Sequence, residues 1–111
     1  MAMLIIFTSK KMEKLCNEEK TAIRILGKEM AHKLFLRIQQ LEAAPDMSEI
    51  PPMARCHPLI GNEAGKYAVD LIQPYRLIFY PANTPLPLNA AGVLEINKVT
   101  EIIIDKIIDY H

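Results

Sequence analysis

The segment CHPLIGNEAGKYAVDLIQPYRLIFY, residues 56–80, lies across three short β-type runs, residues 55–60, 66–72 and 76–80. Gly61-Asn62-Glu63-Ala64-Gly65 separates the first two runs, and Gln73-Pro74-Tyr75 separates the last two. Gly admits positive φ, while Pro fixes φ and removes a hydrogen-bond donor, so both punctuate strands. Side chains alternate along a strand. In the second run Tyr67, Val69 and Leu71 therefore share one face, with Ala68, Asp70 and Ile72 on the other. In the third, Arg76, Ile78 and Tyr80 oppose Leu77 and Phe79. A meander of these runs puts His57 and Arg76 on neighbouring parts of one sheet.

Upstream, Pro51-Pro52 forbid further helix, and residues 46–50 have room for a single turn. Before them Ile23, Leu26, Met30, Leu34, Ile38 and Leu41 recur at steps of three or four, the spacing of one apolar helical stripe. This predicts a helix over residues 17–44. Asn17 is placed to cap it, Glu18 and Glu19 suit the positive end of its dipole, and Pro45 closes it. Gly27 weakens that helix slightly without having to break it. Arg24, Lys28 and Arg37 fall largely off the stripe. Ser9 can cap a shorter helix running through Cys16, and Leu4–Phe7 reads as a strand.

Downstream, residues 81–92 hold three prolines, two asparagines and one glycine, the composition of a long exposed loop. The final KVTEIIIDKIIDY, residues 98–110, contains a continuous Ile run. It predicts a strand buried on both faces and central in its sheet. The expected fold class is α+β: two N-terminal helices packed on one face of a mixed or antiparallel sheet of four or five strands.

With 111 residues, half of them hydrophobic, the chain suits one domain over residues 1–111 with one modest core. Its formal charge is zero, so no global pull toward nucleic acid follows. The charge is divided, however. Residues 10–37 carry eight Lys/Arg against four Glu, a net of +4, and residues 38–111 carry five against nine acids, a net of −4. Such a bipolar chain can offer a basic helical face to one partner and an acidic face to another. Cys16 and Cys56 lack CxxC spacing and read as small buried hydrophobes of a reducing compartment. The opening MAMLIIF is too short for a signal h-region, and no run reaches transmembrane length. The expected location is the cytoplasm, with no membrane partner.

Several segments, taken in order, carry a resemblance. They are Arg55-Cys56-His57-Pro58-Leu59-x-Gly61, Tyr67-Ala68-Val69-Asp70-Leu71, Pro74-Tyr75-Arg76-Leu77-Ile78-Phe79 and the terminal Asp109-Tyr110-His111. Together they resemble the HigB-like (plasmid maintenance killer protein) branch of the RelE/ParE toxin superfamily, over nearly the whole chain. The resemblance implies a small RelE-like fold and a bacterial type II toxin paired with a helix-turn-helix, HigA-like antitoxin. It also implies a ribosome-dependent endoribonuclease that cuts mRNA in the ribosomal A site without metal or cofactor. The ribose 2′-OH attacks the adjacent phosphate, leaving a cyclic phosphate and a 5′-hydroxyl.

That reaction needs a base, an acid and positive charge against the phosphorane. Imidazole suits proton transfer because its pKa lies near neutrality. The resemblance carries catalytic roles onto His57 and His111, but not onto His32, which reads as a surface helix residue. It carries a phosphate-gripping role onto Arg76, whose guanidinium offers paired donors. Tyr110 can stack on a splayed base or supply its hydroxyl, and Asp109 can orient an imidazole. In a regular last strand Asp109 and His111 share a face and Tyr110 points away. The plainer readings are a strand histidine at 57 satisfied by backbone, an Arg76–Asp70 pair across the hairpin, and an unstructured chain end at Tyr110 and His111.

Two departures from the family pattern point elsewhere. The branch usually has a lysine where this chain has Ile60, with basic residues near Glu63, and catalytic relatives are strongly basic where this chain is neutral. The competing functions are a ParE-like toxin that inhibits a protein target such as gyrase without catalysis, and an attenuated relative that mainly binds antitoxin.

Overall fold

The computed structural model describes residues 2–109. The meander forms as strands β2 (His57–Pro58), β3 (Tyr67–Asp70) and β4 (Tyr75–Pro81), joined antiparallel, with the numbering taking Leu4–Phe7 as β1. The Ile-rich segment is β5 (Glu101–Asp109), antiparallel to β4 and parallel to β1. The sheet order is β1-β5-β4-β3-β2, a mixed five-stranded sheet with β5 inside it. Three α-helices occur among the described residues: α1 (Lys10–Asn17), α2 (Glu19–Leu26) and α3 (Lys28–Ala43). The expected α+β class and the central place of β5 both hold. No helix among the described residues is long and apolar enough to cross a membrane.

The core lies between the helices and one sheet face. Met12, Leu15 and Cys16 of α1 and Leu34, Ile38 and Leu41 of α3 pack with Val69, Leu77, Phe79, Ile102 and Ile104. Met30 and Leu26 pack against this cluster while half-buried, so the stripe tapers toward its N-terminal end. Burying a large apolar side chain contributes about 1.5–3 kcal/mol relative to exposure, so this layer fixes which sheet face turns inward. His57, Ala68, Asp70, Arg76 and Ile78 are thereby set on the opposite face.

The long helix expected over residues 17–44 is interrupted. Gly27 sits at φ 86, ψ 159, closing α2 through its N–H to the Ile23 carbonyl at 2.9 Å and opening α3 through its own carbonyl. Helix requires negative φ, and that backbone conformation is open essentially only to glycine. Asn17 does not cap α2 either. Its side-chain amide donates back to the Glu13 carbonyl at 2.9 Å, and Glu18 takes the cap position without a side-chain bond. Ser9 does cap α1, accepting from the Met12 N–H at 3.2 Å. Asp46 likewise caps the expected single turn, Met47–Glu49.

β5 is not buried on both faces. Ile102 and Ile104 are fully buried, whereas Ile103 is half-buried on the other face. A bulge explains the rest. Ile78 pairs with Lys106 but Phe79 pairs with Ile104, so Asp105 is an extra residue in β5. Strict alternation would carry Lys106 into the core after Ile104. The extra residue shifts the parity, so Ile107 packs on the core and Lys106 joins Ile78 and Arg76 on the open face.

Candidate functional site

The open face of β2, β3 and β4 gathers the polar residues of the meander. His57 pairs with Ala68, and Asp70 pairs with Arg76, which pairs in turn with Ile108 of β5. This brings His57 and Arg76 together: Arg76 Nη1 lies 3.2 Å from His57 Nε2. His57 Nδ1 lies 2.8 Å from the Arg55 carbonyl oxygen. A carbonyl only accepts and a guanidinium only donates. These two contacts select the neutral imidazole with its proton on Nδ1, leaving the Nε2 lone pair toward Arg76.

The plainer readings of His57 and of Arg76 are both realised alongside this contact. His57 is satisfied by backbone at Nδ1, and Arg76 Nε stands 3.5 Å from Asp70 Oδ1. Asp70 is 5% exposed and its second oxygen meets Arg55 Nε at 3.1 Å. Gln73 Nε2 donates to the same carboxylate at 3.4 Å. One buried acid thus holds two guanidiniums in fixed relation to one imidazole.

Arg55 and Arg37 were given no role at the site by sequence. Arg55 adopts φ 55, ψ 48, left-handed backbone that costs a residue with a side chain about 1–2 kcal/mol. Its carbonyl on His57 and its guanidinium on Asp70 hold it there. Arg37, expected off the apolar stripe, is buried at 6% exposure and reaches the Asp70 carbonyl with Nε at 2.6 Å. It also donates to the Met53 carbonyl at 3.4 Å, tying α3 to the segment before β2. Burial pushes its pKa down, an effect Asp70 partly offsets, and an arginine stays protonated under such shifts. Helical spacing does distinguish Arg37 from Arg24. Arg37 stands three residues after Leu34 and four before Leu41, on the buried side of α3, so the expectation that it lies off the stripe is corrected. The loop that folds over it supplies the carbonyl that its guanidinium needs there.

Arg55, Cys56, His57 and Arg76 line a shallow hollow on this face. Arg55, Cys56 and His57 also border a second cleft of about 280 Å³, walled by Met47, Ile50, Pro52, Pro58, Tyr67 and Ile96. Burial pushes the Cys56 thiol up to about 11 and Cys16 to about 12, so neither presents a thiolate nucleophile near neutrality. Farther along the open face, Lys66 and Lys106 alternate with Glu63 and Asp105. Lys106 meets Glu63 at 2.7 Å, and Lys66 meets Asp105 at 2.8 Å and Glu63 at 3.2 Å. The two lysines are therefore already matched by acids.

Asp109 is exposed and paired in register with Tyr75, at the end of β5. Its neighbour Ile108 is the residue that shares a row with Arg76, because the bulge has shifted the alternation. Tyr110 and His111, the other expected site residues, lie outside the described residues. No group of three His, Cys, Asp or Glu among the described residues is arranged to hold a metal ion.

No protein-family model matches the chain. No curated protein matches it either. Among solved structures it is similar to the YoeB/ParE toxin from Agrobacterium tumefaciens, with a TM-score of 0.61 and 11% sequence identity. The match covers 98% of this chain and 100% of that one. The α+β fold is thus that of a YoeB/ParE toxin.

Proposed function

We propose that this chain is the toxin of a bacterial type II toxin–antitoxin pair, a HigB-type endoribonuclease that cuts mRNA on the ribosome. The observation that carries the reading is the contact between His57 Nε2 and Arg76 Nη1, with His57 Nδ1 tied to the Arg55 carbonyl. An imidazole held in the neutral tautomer beside two guanidiniums suits transfer of an RNA phosphoryl group. His57 Nε2 takes the 2′-OH proton as the 2′-oxygen bonds to phosphorus. The P–O5′ bond breaks, and the 5′-oxygen receives a proton from an acid, a role we assign to His111, the second histidine to which the resemblance gives a catalytic position. A phosphate that draws the Arg76 guanidinium toward itself also frees the Nε2 lone pair for that proton. Preorganised donors of this kind act where charge develops in the transition state.

The similarity to a YoeB/ParE toxin supports a toxin role with an antitoxin partner, and the segments quoted above favour the HigB-like branch with a HigA-like partner. The test is in vitro translation followed by primer extension on the message. Wild type is expected to give discrete cuts, and His57→Ala to give none. Arg76→Ala is expected to slow single-turnover cleavage by about 10²–10³ while ribosome co-sedimentation changes little.

A second reading is favoured by the neutral charge and by Ile60, an isoleucine 89% exposed near the site. It is a ParE-like inhibitor of a protein target such as gyrase, or an attenuated antitoxin-binding relative. Growth arrest without ribosome binding or cleavage would replace the nuclease with the protein-target inhibitor. Antitoxin binding with no arrest would leave the attenuated relative.

A further inference from the structure

Beside His57 two hollows of opposite character share a wall. One is lined by Arg55, Cys56, His57 and Arg76. The other is the cleft of about 280 Å³ bounded by Arg55, Cys56 and His57 on one side and by apolar walls on the other. The chemistry just described uses only the first. The cleft lies just below the about 300–1,000 Å³ typical of small-molecule sites, which suits a single ring system. Its walls are firm. Pro52 and Pro58 have fixed rings, and Tyr67 is held against Phe79 with 6.1 Å between ring centroids and 26° between planes.

We propose that this cleft is a nucleobase subsite, taking the base of one nucleotide whose phosphate lies on Arg55 and Arg76. The proposal rests on the nuclease reading of the adjoining hollow and adds to it the substrate group that the chain itself recognises. A flat, largely apolar ring joined to an anion uses both hollows at once. An apolar side chain from a protein partner uses the cleft but leaves the cationic rim without purpose. Arg55 is suited to bridge the two, since Asp70 fixes its Nε while the side chain remains 74% exposed. Bases stack on aromatic and guanidinium planes, and such contacts tolerate any base because every base has a π-face.

The test is titration of the purified chain by two-dimensional NMR with adenosine 3′-monophosphate and uridine 3′-monophosphate, using ribose 5-phosphate as the baseless control. Amide shifts at Ser48, Tyr67 and Ile96 are expected with the nucleotides only, and shifts at Arg55, His57 and Arg76 with all three. Ile96 is 40% exposed on the cleft wall, so Ile96→Trp can fill the space without disturbing the core. It is expected to weaken nucleotide binding about tenfold and leave ribose phosphate binding unchanged. Identical shifts from nucleotide and ribose phosphate overturn the subsite, as does cleft occupancy by N-acetyl-phenylalaninamide but not by nucleotide. The two readings fail separately. Base-dependent shifts in a protein that cuts no message leave the subsite and remove the nuclease. Cleavage without base-dependent shifts does the opposite.

Discussion

Asp70 Oδ1 stands 3.5 Å from Arg76 Nε, across the register that sets the two residues opposite one another in β3 and β4. The same carboxylate holds Arg55 Nε at 3.1 Å, so one acid aligns both cations that flank His57. Its burial is what gives the contact weight. Exposed ion pairs contribute at most about 1 kcal/mol, whereas a buried charged group left without its partner costs more.

Asp70→Asn keeps the side-chain shape and removes the counter-charge. It should lower stability by about 1–3 kcal/mol in urea denaturation. The loss from Asp70→Asn combined with Arg76→Ala should fall short of the sum of the single losses by at least about 0.5 kcal/mol. Strict additivity would show that the two side chains do not act as a unit.

Gly27→Ala tests the break between α2 and α3. A Cβ there meets nothing within 4 Å, so crowding is not the issue. The backbone at φ 86, ψ 159 is, and the strain should cost about 1–3 kcal/mol. Alanine is the better helix former, so a continuous helix would instead gain up to about 1 kcal/mol. The sign of the shift in thermal midpoint decides between the two.

Ile60 is 89% exposed, and replacing it should change stability by no more than about 0.5 kcal/mol. Under the nuclease reading Ile60→Lys should tighten ribosome co-sedimentation and steepen its salt dependence by about one unit of slope, with the chemical step unchanged. Weaker inhibition of a purified protein target, with no change on ribosomes, would favour the other reading.

The Glu63–Lys66–Asp105–Lys106 network sets a pH window. Bonds from Lys106 and then Lys66 hold Glu63 below its ordinary 4.5, so its stabilisation is full above 4.5 and fades as pH falls through the lowered value. Bonds to Asp105 and then Glu63 raise Lys66 above its ordinary 10.5. Its contribution is full below 10.5 and fades as pH rises through the raised value. Thermal midpoints measured against pH should show losses beyond both limits, with Glu63→Gln flattening the acid side. An unchanged acid limb in Glu63→Gln would remove Glu63 from that role.

Much of this protein was legible as pattern. Alternation placed Arg76 and Ile78 on one face and Leu77 and Phe79 on the other, and the turn residues between the runs aligned His57 with Arg76 on one sheet. The spacing of Leu34, Ile38 and Leu41 marked the buried side of α3. These features follow from fixed periods of strand and helix, which a linear sequence carries in full.

Other features depend on what lies across the fold. The left-handed conformation of Arg55 is stabilised by partners fifteen residues away at Asp70 and two away at His57. Arg37 lies at helical spacing from Leu34 and Leu41, but the carbonyls that satisfy its buried guanidinium come from Asp70 at the end of β3 and from Met53. The bulge at Asp105 exists because a lysine at 106 cannot follow Ile104 into an apolar core, and its ammonium finds Glu63 on the open face instead. Local periodicity contains no record of a partner supplied by another strand. Where burial of a charge forces the backbone off its period, only the assembled tertiary structure decides which face each residue takes.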